Sequence, residues 1–328
     1  MMEKKINTRI NNIRALAILI VIFGHSIILY SSAWSIYEPI WECILLDDIK
    51  KVINLIQMPL FFSLSGFLFA ESSKEIKISA FVLKKFKRLM IPFYAVGIMW
   101  MIPIKKILNY SEYRGIGIGR AFYNLCMNIE SGHLWYLPTL FLTFVIFVFW
   151  KKYVKGGEFL LFVITLIINY FRMNMPDFGI PFLENVYLYS WSFVLGMVFS
   201  SGKKYNFLVK VYKVIFSKKY LYFGASLIIA IVDTVVVGRA DIWCSIILIC
   251  GIYLCVSNQY NQILDSISKN SFGMYLIHSP LIYITFTFFK NSSPIVVVFL
   301  NLVVWGSVSY ILTILIRKVK LGVIIGEK

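Results

Sequence analysis

Apolar runs of 15 to 20 residues recur from one end of this 328-residue chain to the other, and that recurrence leaves few folds open. A bilayer's hydrocarbon core, about 30 Å thick, takes about 20 apolar residues of helix to cross. Inside it every backbone N–H and C=O has to find a partner, which a helix supplies from within the segment. With 59% hydrophobic and only 15% charged residues, the expected fold is all-α: a polytopic membrane helical bundle. Spans are expected near residues 13–31, 52–70, 89–108, 133–150, 158–171, 186–201, 219–237, 241–257, 271–289 and 294–316, ten in all. The basic start before the first run imitates a secretory signal peptide, but the run is long for one and more spans follow, so an uncleaved first span is expected.

Charge supplies a second, independent constraint. A net charge of +17 in a soluble chain would suggest nucleic acid as a partner; here the positive-inside rule accounts for it, and no nucleic-acid partner is expected. With the N-terminus inside, ten spans put 24 of the 33 Lys and Arg residues on the cytoplasmic side, so both termini are expected to be cytoplasmic. Two cytoplasmic stretches are amphipathic. Residues 76–90 set Ile78, Phe81, Val82, Phe86 and Leu89 against Lys77, Lys84, Lys87 and Arg88; residues 207–216 set Phe207, Leu208, Val211, Val214 and Ile215 against Lys210 and Lys213. Both read as helices lying on the inner leaflet in contact with membrane lipids, and the 84–88 cluster is equally suited to phosphate. No repeat, Pro- or Ser-rich linker or soluble domain interrupts the pattern, so residues 1–328 are expected to form one integral-membrane domain.

Within the apolar runs a few polar residues stand out, because leaving water is costly for them. Arg14 and His25 lie eleven positions apart in one run; at 100° and about 1.5 Å per residue they share a helical face about 16 Å apart. That spacing suits a two-point grip on something long. The chain has three histidines, His25, His133 and His278, and each falls in or at the edge of an expected span. Histidine suits proton transfer near neutral pH. Ser63, Ser65 and Gly66 make a small-residue strip in the second span, which serves either helix packing or a narrow slot against the Arg14 and His25 face. His133, Trp135 and Tyr136 open the fourth span, where aromatics serve as interfacial anchors or as a stacking surface for a sugar. Tyr275 and His278 share a face of the ninth span beside Pro280. Asp233 is the acidic residue deepest in an apolar run and is grouped with this pocket.

Other chemistries lack their residues. The five cysteines are scattered without CxxC spacing, and no metal is expected. HExxH, GxSxG, GxxxxGK[ST] and GxGxxG are absent, so zinc hydrolysis, serine-hydrolase action and nucleotide-loop binding have no motif to stand on.

Several stretches together resemble acyltransferase family three, bacterial integral-membrane enzymes that move acetyl groups onto sugars of surface polysaccharides. They are IRALAILIVIFGHS with Arg14 and His25, FFSLSGFLF at 61–69, KKFKRLMIPFY at 84–94, HLWYL at 133–137 and SFGMYLIHSPL at 271–281. The chain resembles the stand-alone membrane form, without the extracytoplasmic hydrolase-like domain that members often add. The resemblance implies a multi-pass protein of the cell (inner or plasma) membrane. Its acyl donor would be acetyl-CoA or a related acyl-CoA from the cytoplasm, and its acceptor a sugar hydroxyl on a glycan or lipid-linked precursor. On that reading His25 is the general base or the transient acyl carrier, and Arg14 with Lys84, Lys85, Lys87 and Arg88 binds donor phosphates. Ser65 and Gly66 line the slot near the thioester; His133, Trp135, Tyr136, Tyr275, His278 and Asp233 are acceptor-pocket candidates. The competing class is a glycan transporter or flippase that moves its cargo without making a bond. Small-residue strips serve packing within one subunit and between copies alike, so a homo-oligomer stays open.

Overall fold

The computed structural model describes residues 2–32, 42–72, 77–110, 113–154, 156–173, 179, 181–201 and 214–327. Among them every regular element is helical. In chain order these are α1 (Met2–Ser26), α2 (Ile44–Glu71), α3 (Ile78–Ile107), the short α4 (Ile118–Cys126), α5 (Gly132–Tyr153), α6 (Glu158–Met173) and α7 (Pro181–Ser201). They continue with α8 (Lys219–Val236), α9 (Ile242–Cys255), α10 (Gln262–Phe288) and α11 (Pro294–Lys318). Each stretch expected to span falls on one of these helices. Five of them, α2, α3, α5, α8 and α11, are long and apolar enough to cross a membrane, and α6 and α9 contain shorter apolar helices.

Two boundaries differ from expectation for identifiable reasons. Helix α2 starts at Ile44, eight residues before the expected span, because its polar first turns are held by local pairs. Lys51 bridges Asp47 at 2.9 Å and Asp48 at 3.0 Å one turn away, and Asp47 accepts the backbone N–H of Ser32 at 2.8 Å. Acidic residues in a first turn also meet the positive end of the helix dipole. The amphipathic stretch 76–90 is not a separate helix lying on a leaflet: from Ile78 it runs without a break into the next span as the start of α3. Nothing between residues 78 and 91 interrupts a helix, and Pro92 is absorbed in it. That proline cannot donate to the Arg88 carbonyl, and Gly326 packs onto that carbonyl so closely that an added Cβ would lie 2.6 Å from it. The other amphipathic stretch, 207–216, lies largely outside the described residues.

Helix α1 sits at the centre, packed against α2, α10 and α11, with Ile13, Ala17, Ile18 and Val21 fully buried. The tightest contact joins α2 to α7. A Cβ on Gly66 would lie 1.8 Å from the Phe193 carbonyl oxygen, and one on Gly196 would lie 1.8 Å from that of Ser63. Small residues at both positions bring the two backbones into contact, the usual route to dense packing where lipid replaces water. The far end of α2 is tied down by Lys151 of α5, whose ammonium donates to the carbonyls of Phe69 at 2.5 Å, Ala70 at 3.1 Å and Ser72 at 2.9 Å. A cation there satisfies carbonyls that the helix itself leaves open.

Candidate active site

Helix α1 carries the first two functional groups. It is one unbroken helix from Met2 to Ser26, so Arg14 and His25 lie on one face about 16 Å apart along it. Arg14 is half-buried and forms part of the wall of a cavity of about 1230 Å³. The other walls come from α2, α3, α5, α10 and the segment after α11. Seven cations line the cavity: Arg14, Lys77, Lys84, Lys85, Arg88, Lys152 and Lys269; Glu327 is the one carboxylate among the described lining residues. Basic side chains around a half-enclosed space favour a polyanion, since low-dielectric walls focus the field; among them Lys269 is paired with Asp265 at 2.7 Å and Lys85 sits over the Phe144 ring. Phe61, Ser65, Tyr136 and Tyr275 also line it. Tyr136 and Tyr275 approach each other at 5.6 Å between ring centroids, and the Tyr136 hydroxyl lies 3.2 Å from that of Ser65.

Beyond these tyrosines the three histidines come together from three helices. The His278 ring lies 5.1 Å from that of His25 and 5.5 Å from that of His133, centroid to centroid. Tyr275, at the cavity wall, lies 5.5 Å from His133 and hydrogen-bonds the His133 carbonyl. Pro280 explains part of this arrangement. Lacking an N–H, it leaves the Leu276 carbonyl without its helical donor, and Nε2 of His133 donates to that carbonyl at 3.0 Å. The ring nitrogens do not gather around a common point: among the described residues no three His, Cys, Asp or Glu side chains are placed to hold a metal ion.

The three rings differ in what they leave open. His278 is fully buried, with Nδ1 on the carbonyls of Met274 and Tyr275 and Nε2 on His25. His133 has its Nδ1 sealed away without a partner. His25 is half-buried; its Nδ1 is engaged with Val21 O at 2.9 Å and with His278, while its Nε2 makes no hydrogen bond to the described residues and is not sealed. Of the three, His25 alone has a ring nitrogen that is neither hydrogen-bonded to the described residues nor sealed, and His25 is not itself part of the cavity wall.

Sequence-derived candidates therefore divide. Arg14, Ser65, Lys84, Lys85, Arg88, Tyr136 and Tyr275 line the cavity, and His25, His133 and His278 cluster behind it. Lys87 is exposed and is not part of the wall, because α3 turns it away from Lys84 and Arg88. Gly66 faces α7 and not the cavity; its role is the close approach already described. Trp135 stacks in an aromatic group with Phe62 and Tyr189, 6.5 and 5.1 Å away, outside the cavity lining. Asp233 is not with the site. It lies in the widened last turn of α8, where it accepts the backbone N–H of Asp241 at 3.1 Å and the thiol of Cys244 at 3.4 Å, tying α8 to α9. Lys77, Lys152, Lys269 and Glu327 join the wall although the sequence does not mark them as site residues.

A basic cavity set among helices long and apolar enough to cross a membrane defines a class: a multi-pass membrane protein. Residues 7–316 match the family profile described as an acyltransferase domain, and the chain belongs to acyltransferase family three. Comparison with curated proteins and with solved structures gives no match.

Proposed function

We propose that this chain is a membrane O-acyltransferase that moves an acetyl or other short acyl group from acyl-CoA to a sugar hydroxyl. The acceptor on this reading is a cell-surface polysaccharide or its lipid-linked precursor, and the enzyme resides in the cell membrane with ten spans and both termini cytoplasmic. The basic cavity opens to the cytoplasm on this topology, since Lys77, Lys84, Lys85, Arg88, Lys152 and Lys269 all belong to segments assigned inside.

One observation carries the reading: a cavity walled by seven cations shares Arg14 with the helix on which His25 sits about 16 Å further along. The cations would take the phosphates of the donor through charge-assisted hydrogen bonds. The extended pantetheine arm would run along α1 past Phe61, Tyr136 and Tyr275, bringing the thioester to His25. There the ring nitrogen takes the proton of the acceptor hydroxyl, whose oxygen forms the new ester bond as the C–S bond breaks. The departing thiolate then receives the proton. A variant of the same step has the ring nitrogen carry the acyl group between donor and acceptor; both use one lone pair of His25.

The test is glycan acetylation by whole cells that carry His25→Ala or Arg14→Ala at wild-type protein levels. Both variants are expected to lose at least nine-tenths of the acetyl groups released from surface glycan by mild base. Wild-type acetylation in both would sink the assignment.

A further inference from the structure

His278 is fully buried beside His25, contributed by a helix 253 positions away in sequence, and its hydrogen bonds determine its own protonation pattern. Its Nδ1 lies 3.0 Å from the Met274 carbonyl and 2.9 Å from that of Tyr275. Carbonyls only accept, so Nδ1 carries the hydrogen and Nε2 of the neutral ring carries the lone pair. That lone pair faces Nδ1 of His25 at 3.4 Å. Nδ1 of His25 also meets the Val21 carbonyl at 2.9 Å, another acceptor. Both neighbours of His25 Nδ1 therefore accept, which places the His25 hydrogen on Nδ1 and the lone pair on Nε2, the nitrogen that makes no hydrogen bond and is not sealed.

We propose that His278 is a positioning residue for His25: as an acceptor from Nδ1–H it fixes the ring in the tautomer and orientation in which Nε2 is the reacting nitrogen. The inference rests on the reading of His25 as the group that meets the thioester. When Nε2 takes a proton from the acceptor, the ring becomes a cation with a hydrogen on each nitrogen, and the His278 lone pair then receives a stronger, charge-assisted bond from Nδ1–H. No proton passes to His278, whose own Nδ1–H stays on the α10 carbonyls. The pair repeats the general arrangement in which a base is oriented by a third group. Lys50 of α2 is the other basic group nearby, buried with Nζ 3.3 Å from where a Cβ on Gly24 would stand and bonded to Gln57 at 3.2 Å.

The experiment uses membrane vesicles from cells that make the full chain with their own glycan, radiolabelled acetyl-CoA as the probe, and initial rates of label entering the glycan. Four proteins are compared at matched amounts of folded protein: wild type, His25→Ala, His278→Leu and His278→Gln. Leu fills much of the space without an acceptor; the Gln side-chain oxygen can occupy the position of Nε2. The expected result is no transfer by His25→Ala, a kcat about 10- to 100-fold lower in His278→Leu, as for loss of a bond to a charged group, and an unchanged KM for acetyl-CoA. His278→Gln is expected to recover at least ten-fold over Leu. An inactive His25→Ala with a wild-type His278→Leu would overturn the inference while sparing the reading of His25, since Val21 would then suffice. Equal losses in Leu and Gln would overturn it as well, as a packing role predicts. A fully active His25→Ala would overturn the underlying reading and the inference with it.

Discussion

At the scale of single residues, the helical period decides which side chains of the 84–88 cluster can serve. Lys84, Lys85 and Arg88 line the cavity and Lys87 does not, although all four are equally basic in sequence. Kinetics should separate them. Arg88→Ala is expected to raise the KM for acetyl-CoA about ten-fold or more, the loss of about 1.5–3 kcal/mol typical of a hydrogen bond to a charged group. Lys87→Ala is expected to stay within two-fold of wild type, since α3 turns its side chain away from the cavity wall. Initial rates at varied acetyl-CoA check both, and equal effects would remove the geometric distinction. The same scale shows where residue-by-residue reading stops. The spacing of Arg14 and His25 follows from the 3.6-residue period alone, and it placed both on one face of α1. Asp233 lies apart from the cavity, at the end of its helix, where its carboxylate accepts an N–H; hydropathy marks an apolar run but not the turn where it ends.

At the scale of helices, the α2 and α7 pair is the rigid reference against which the cavity wall is built. Ser65 lines the cavity from the same turn of α2 on which Gly66 and the Ser63 carbonyl meet α7. A leucine at Gly66 would meet backbone and not a yielding side chain. Gly66→Leu is expected to cost at least about 1–3 kcal/mol of stability, the usual range for overpacking, read as a lower unfolding temperature of the purified protein in detergent. An unchanged unfolding temperature would show that α7 can move aside, contrary to the backbone contact. Helix identity was legible from apolar runs, yet partner choice was not: the small-residue strip fitted packing and slot alike, and only the position of Phe193 and Gly196 decided in favour of packing for Gly66. Residues 76–90 carried two readings, a helix on the leaflet and a phosphate-binding cluster, for a related reason. Amphipathic pattern alone does not distinguish a helix lying on lipid from the first turns of a span whose polar face lines a cavity.

At the scale of the whole molecule, function depends on convergence that no local pattern encodes. The three histidines are more than a hundred residues apart in sequence and meet because α1, α5 and α10 pack around one point. Lys77, Lys152, Lys269 and Glu327 reach one cavity from α5, α10 and the two stretches that precede α3 and follow α11. The bundle sets the basic cavity and His25 at separate places along α1, and the proposed function divides the labour between them, with binding at the first and reaction at the second. That division is the central claim, and equilibrium binding of radiolabelled acetyl-CoA to the purified full-length protein tests it most directly. The account predicts that His25→Ala binds the donor as wild type does while transferring nothing, and that Arg14→Ala binds at least ten-fold more weakly. Loss of binding in His25→Ala together with wild-type binding in Arg14→Ala would contradict it.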